Sequence, residues 1–159
     1  TIVEYSDFQC GYCARAFNTL RGLKDDYGDK ITVLYKHLPL PNHPLAMPGA
    51  QYYEAIALQD ESKAAKFHDA IFENQRDVNS GGEDFFKKTA KGLGVDMAKL
   101  SKDIKSDVVK KRIDEDMAEA SKFGFSGTPG FLVNGVSLPG AYPAEMFKMI
   151  IDRHLEGKK

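Results

Sequence analysis

Tryptophan is absent, and cysteine occurs only twice in 159 residues. Two cysteines do not make a disulfide-stapled scaffold, and a chain of this length buries a core without one. Neither sign of charge is in excess, with 22 lysines and arginines against 23 aspartates and glutamates and a formal net charge of −1. That balance excludes the clustered basic surplus that binding nucleic acid draws on. Even the lysine-rich run from Lys105 to Arg112 has Asp103, Asp107 and Asp114 about it, and reads as a solvated helix face. No apolar run approaches the roughly 18 residues that a bilayer crossing needs. No signal peptide opens the chain, no internal repeat is visible, and no segment is of low complexity. The chain is strand-like from Thr1 (TIVEYSDF), which reads as the processed or trimmed form of a longer protein.

The elements that are present alternate. TIVEYSDF is β-branched and aromatic, a strand by pattern. After Cys10 the period changes: Cys13, Phe17, Leu20 and Tyr27 recur at helical spacing, predicting a helix from about Gly11 to Tyr27. Ile31–Leu38 (ITVLYKHL) follows as a second strand, apolar enough to be buried on both faces, so the opening reads as a βαβ unit. A proline-rich connector, Pro39 to Pro48, leads into a helical stretch with helices expected over Ala46–Gln59, Ser62–Gln75, Glu83–Gly92, Asp96–Ile104 and Ser106–Phe123. Ser62 and Asp96 are the expected N-caps, and Gly94 and Gly124 the stops. FLVNGVSL then carries an Asn134-Gly135 hairpin turn, and a last helix begins near Pro143. The fold class is α/β, with one sheet completed across a helical insertion.

The chemistry centres on FQCGYCARAF, Phe8 to Phe17, which holds both cysteines. As a structural clamp, so short a loop would contribute at most about 2 kcal/mol, which a domain of this size does not need. A zinc site needs four ligands, usually with a second close Cys or His pair, and His37, His43, His68 and His154 offer none at the right spacing. No metal is therefore expected. A redox pair fits the placement. Cys10 falls at a strand-to-helix junction, where free amide hydrogens and the helix dipole favour a thiolate. Cys13 lies one turn on, with Phe17 and Leu20, and is expected to be the buried resolving thiol behind an exposed Cys10. Cys-x-x-Cys beside a βαβ pattern is a thioredoxin-like signature.

Glu4 and Lys36 interrupt apolar strands. Either each reaches solvent at a strand end, or the two form a buried pair under the cysteines that shuttles protons and tunes the thiolate. The pattern leaves both readings open. Thr128-Pro129 precedes the hairpin and by itself reads only as a turn. The four histidines read as structural or surface residues, with His37 nearest the expected site because it follows Lys36.

Three stretches, VEYSDFQCGYCARAF, KHLPLPNHPLAMPGA and FGFSGTPGFLVNGVSLPGAYP, together resemble the bacterial DsbA-like thiol–disulfide oxidoreductases, nearly end to end. The resemblance implies a thioredoxin-like fold interrupted by an all-helical insertion, residues 1–44 and 124–159 forming the first unit and 45–123 the second. It implies Cys10 as attacking thiol, Cys13 as resolving thiol, and Thr128-Pro129 as a cis-proline loop that pairs with an extended substrate segment. Gly11 and Tyr12 face the same substrate. Glu4 matches the family's buried acid, with Lys36 as candidate basic partner. No cofactor beyond the Cys10–Cys13 disulfide is implied. The implied partners are cysteine-containing unfolded or misfolded exported proteins and a membrane redox partner that resets the cysteines, which sets the protein in the periplasm or another extracytoplasmic space. Gly-Tyr replaces the Pro-His of the strongly oxidising prototype, so a higher Cys10 pKa and a less oxidising couple are expected. Gly-Tyr and a threonine before the proline also occur in periplasmic disulfide isomerases, so isomerisation or reduction stands beside net oxidation. Those isomerases are dimers; no dimerisation segment is visible here, and a dimer is possible through one preceding Thr1. A non-catalytic peptide-binding or chaperone module, using a groove near Phe8, Tyr12 and Phe131, is the alternative from another class. A glutathione transferase is poorly served by a resolving Cys13.

Overall fold

The computed structural model describes residues 1–157. Strand β1 (Ile2–Ser6) leads into helix α1 (Gly11–Tyr27) and then strand β2 (Val33–His37), parallel to β1. Six helices follow: α2 (Ala46–Gln59), α3 (Glu61–Glu73), α4 (Gln75–Gly81), α5 (Glu83–Gly92), α6 (Met97–Asp103) and α7 (Asp107–Lys122). The chain returns to the sheet in β3 (Gly130–Val133) and β4 (Val136–Leu138), and α8 (Ala144–Glu156) closes it. Strand order is β2-β1-β3-β4, with β3 antiparallel to both its neighbours. This is the thioredoxin-like sheet with helices inserted between its halves.

Alternation along β1 builds the layers. Ile2 points to one face, where it meets Leu20 and Leu23 of α1, Phe131 of β3, and Phe147 and Ile151 of α8. Val3 and Tyr5 point to the other, against Leu132, Met117, Ala120 and Phe125. The inserted helices enclose a core of their own around Ile56, Phe67, Ile71, Phe86, Val109 and Ile113. Each such side chain contributes about 1.5–3 kcal/mol on full burial. Phe8, Cys10, Cys13 and Phe17 belong to that same core. The cysteine segment is thus seated between sheet and insertion.

Several local expectations hold. Asp96 caps α6 by accepting the Lys99 N–H, and Gly94 and Gly124 take φ of 76° and 83°. Asn134 and Gly135 both adopt positive φ, 49° and 84°, as a two-residue hairpin turn requires. Gly130 is required for space, since a Cβ there would lie 2.6 Å from the Phe125 ring.

Others are corrected. β2 is an edge strand, and Leu34 is 47% exposed, so ITVLYKHL is not buried on both faces. An apolar run does not distinguish an edge strand that packs on one face from a central one. Ser62 does not cap α3; Asp60 does, accepting the Ser62 and Lys63 N–H groups. The helix expected to continue to Gln75 stops at Glu73, and a short separate helix, α4, begins at Gln75.

Candidate active site

Cys10 is the N-cap of α1, with extended backbone (φ −79°, ψ 123°), and Gly11 is the first helical residue. The backbone amides of Tyr12 and Cys13 in the first turn lie close enough to its sulfur to help lower its pKa. Burial differs from expectation: Cys10 is 5% exposed rather than open, against 1% for Cys13. Both are free thiols. The Cys10 pKa is lowered to about 6, chiefly by the hydrogen bond from the Cys13 thiol, with burial opposing and Thr128 and the Cys13 and Tyr12 backbone assisting. Burial pushes the Cys13 thiol well up, and its bond to Cys10 adds to that.

The Thr128–Pro129 peptide is cis, and it faces the cysteines. As a thiol, Cys10 donates to the Thr128 carbonyl at 3.6 Å. The buried Thr128 Oγ1 has no hydrogen-bond partner among the described residues, and Thr128 is one of the groups that lower the Cys10 pKa. Cys10, Gly11, Tyr12, Arg15, Leu40, Asn42, His43, Gly127 and Thr128 line one open cleft of about 610 Å³. Tyr12 is 58% exposed on its rim, with the Arg15 guanidinium over its ring at 5.2 Å. Phe8 and Phe131 do not join that cleft. They are 5% and 0% exposed, and pack in the two cores.

Glu4 is buried beneath the cysteines, 1% exposed, with Oε2 unpartnered among the described residues. Its pKa is raised to about 8, chiefly by burial and also by the nearby Cys10 charge, with Lys24 opposing. Lys36 does not pair with it. In the β1–β2 register Glu4 lies beside Tyr35 and Tyr5 beside Lys36, so the two charges leave opposite faces of the sheet. Lys36 instead reaches Glu119 of α7 at 3.0 Å, where Glu119 also accepts from the Tyr5 hydroxyl. The lysine on the Glu4 side is Lys24, its ammonium 5.6 Å from the centre of the Tyr35 ring. It continues the spacing of Cys13, Phe17 and Leu20 by one more turn, a signal legible in the sequence.

His37 turns away from the cleft. Its Nε2 lies 2.9 Å from Glu54 Oε1, its backbone N–H donates to Asp116, and Arg112 holds the other Glu54 oxygen at 3.3 Å. His37, Glu54 and Asp116 have metal-ligating atoms within 4.8 Å of one another, a proximity these bonds account for. Two further residues at the site escaped the sequence reading. Asp7, 2% exposed, accepts from Gln9, Leu40 and His43. Gln75 of α4 donates to the Phe8 and Cys10 carbonyls.

A thiol pair at a helix start, facing a cis-proline loop on a four-stranded sheet interrupted by helices, defines a thioredoxin-type protein. The chain belongs to the thioredoxin family, whose sequence model, described as Thioredoxin, matches residues 1–153. It is similar to a thioredoxin-like oxidoreductase from Silicibacter pomeroyi DSS-3, with a TM-score of 0.82 at 27% identity, over 98% of this chain and 86% of that one. The fold is also that of the thiol-disulfide exchange protein α-DsbA2 from Wolbachia pipientis, with a TM-score of 0.82 at 21% identity, over 96% and 80% of the chains. A curated relative named Na(+)/H(+) antiporter NhaA, from Herminiimonas arsenicoxydans, is 30% identical over 159 residues. The chain spans 24% of that protein's length. No helix among the described residues is long and apolar enough to cross a membrane.

Proposed function

We propose that this protein is a thiol–disulfide oxidoreductase, exchanging disulfides with the cysteines of exported proteins through Cys10 and Cys13. One observation carries the reading: two free, buried thiols stand one turn apart at the start of α1, Cys10 against the cis Thr128–Pro129 loop, an environment that draws the Cys10 pKa down to about 6 and pushes that of Cys13 well up. The first is a ready nucleophile and leaving group at pH 7, and the second is held protonated until it is needed.

In the oxidising direction, a substrate thiolate attacks Cys10 Sγ of the Cys10–Cys13 disulfide. The S–S bond breaks, and Cys13 leaves with its electron pair and takes a proton. Glu4, with its pKa near 8, is the group beneath it suited to give or take that proton near neutrality. A second substrate thiolate then attacks the substrate sulfur of the mixed disulfide and expels Cys10 as a thiolate. The substrate has lost two electrons and the cysteine pair has gained them. Thr128, beside Cys10, offers backbone groups for an extended substrate segment. No cofactor is needed beyond the cysteine pair, and a membrane redox partner resets it. Protein disulfides persist in extracytoplasmic compartments, which is where this chemistry is useful.

The test is the equilibrium potential of the couple in glutathione buffers. A value between about −120 and −180 mV supports an oxidant or isomerase, and refolding of a scrambled substrate then separates those two. A value near about −270 mV defines a reductant and ends the oxidising reading. A protein without redox turnover, whose Cys10→Ser variant still suppresses aggregation, would be a peptide-binding module instead.

A further inference from the structure

The connector between β2 and α2 brings an imidazole to the exchange cleft. His43 lines the cleft with Cys10, Tyr12, Arg15 and Thr128. Its Nδ1 lies 2.8 Å from Asp7 Oδ2, and the side chains are 25% and 0% exposed, respectively. Asp7 is itself fixed from two sides. Its Oδ1 accepts the Gln9 N–H at 2.8 Å, and its Oδ2 accepts the Leu40 N–H at 2.9 Å. The Asp7 carbonyl also accepts the Cys10 N–H at 3.1 Å, so one residue holds both the imidazole and the backbone of the nucleophile. A carboxylate only accepts, so Nδ1 carries the hydrogen and Nε2 is left as the basic nitrogen. Among the described residues, Asp7 is the one hydrogen-bond partner of the ring. The dipeptide between the cysteines carries no histidine; the connector after β2 supplies one to the cleft.

We infer that His43 is the general base that takes the proton from an incoming protein thiol, with Asp7 as its positioning residue. The inference rests on the exchange activity proposed above. The substrate S–H proton passes to His43 Nε2 as the substrate sulfur bonds to Cys10 Sγ. The Cys10–Cys13 bond breaks, and its electron pair stays on Cys13. The oxidant is the protein's own disulfide. In reverse, the imidazolium returns the proton to the departing substrate sulfur. An ordinary thiol with pKa about 8.5 is only about 3% ionised at pH 7, so the gain is capped at about 30-fold. The titratable and charged groups that share the cleft with His43 are Cys10, Tyr12 and Arg15, with Asp7 bonded to its ring; Gly127 and Thr128 add none.

The experiment is single-turnover oxidation of a dithiol peptide by the oxidised protein, comparing wild type with His43→Gln and His43→Asn between about pH 6 and 9.5. Both variants are expected to be about tenfold slower at pH 7. They should rejoin wild type by about pH 9.5, above the ordinary thiol pKa, where the peptide is already thiolate. Alkylation of reduced Cys10 by iodoacetamide should keep its midpoint in both. Equal rates at pH 7, or a deficit that stays constant across the pH range, overturns the inference. A wild type that does not oxidise the peptide at any pH overturns the exchange activity itself, and this inference with it. A wild type that turns over beside an indifferent His43→Gln removes only the role of His43.

Discussion

Gln75 holds Cys10 from the far side of the chain: its amide donates to the Cys10 carbonyl at 2.9 Å and to the Phe8 carbonyl at 3.0 Å. The Cys10 carbonyl also accepts the Ala14 N–H at 3.2 Å, the first bond of α1. One side chain of the inserted helices thus ties down the turn that aims the nucleophile. It does so through backbone groups, so the grip is independent of what the thiol is doing.

Gln75→Ala leaves two carbonyls short of a donor. At about 0.5–1.5 kcal/mol for each bond, the variant is expected to lose about 1–3 kcal/mol of stability. Urea unfolding of the reduced protein measures this directly, and a loss under about 0.5 kcal/mol would show that the tie is idle.

The stability of the reduced protein should carry two opposing pH slopes. Glu4 has its folded pKa raised from 4.5 to about 8, so the folded state binds the extra proton and stability falls as pH rises between those values. Cys10 has its folded pKa lowered from 9.0 to about 6, so stability rises with pH from about 6 to 9. Each slope is at most about 1.4 kcal/mol per pH unit, and between pH 6 and 8 they offset one another. Cys10→Ser removes the rising slope and should uncover a decline from pH 6 to 8. Glu4→Gln should do the reverse and leave a rise. Denaturant midpoints at three pH values decide it; a Cys10→Ser profile as flat as wild type is the outcome against it.

How much of this was legible in the sequence depended on range. The cysteine pair at a helix start and the Asn134-Gly135 turn are local chemistry and could be read directly. Glu4 could be marked as out of place in an apolar strand. That Lys36 is not its partner could not be read, because a one-residue difference in register decides whether Lys36 or Tyr35 shares its face. The edge position of β2 was hidden for a similar reason, since strand order is set by residues about a hundred positions away. Asp60 and Ser62 are two good capping residues in competition, and only the backbone shows which one won. Gln75 carried no signal: it is a polar residue near a helix end, 65 positions from the carbonyl it holds.

The two lysines should separate cleanly. Lys36→Met breaks a bond to Glu119 on the far face of the sheet, and is expected to leave the iodoacetamide midpoint of Cys10 near 6. Lys24→Met removes the charge that opposes the raised Glu4 pKa, and should push it further up. Carboxyl-carbon NMR of Glu4 in both variants reads this out. A Glu4 titration that moves in Lys36→Met and not in Lys24→Met would restore the Glu4–Lys36 pair.

Thr128→Val tests the dual role of the residue before the cis-proline. The buried Thr128 hydroxyl has no hydrogen-bond partner among the described residues and helps lower the Cys10 pKa, as a donor to the thiolate would. Valine keeps the shape and loses the donor. A hydrogen bond to a charged group is worth about 1.5–3 kcal/mol, so the Cys10 midpoint should rise by about one to two pH units. Below pH 6 the hydroxyl contributes nothing, and the reduced variant should be at least as stable as wild type. Above pH 8 it should be less stable. Alkylation profiles and urea midpoints at about pH 5 and pH 8.5 test both halves. A variant equally destabilised at the two pH values would mean that Thr128 acts through packing, with no bond to the thiolate.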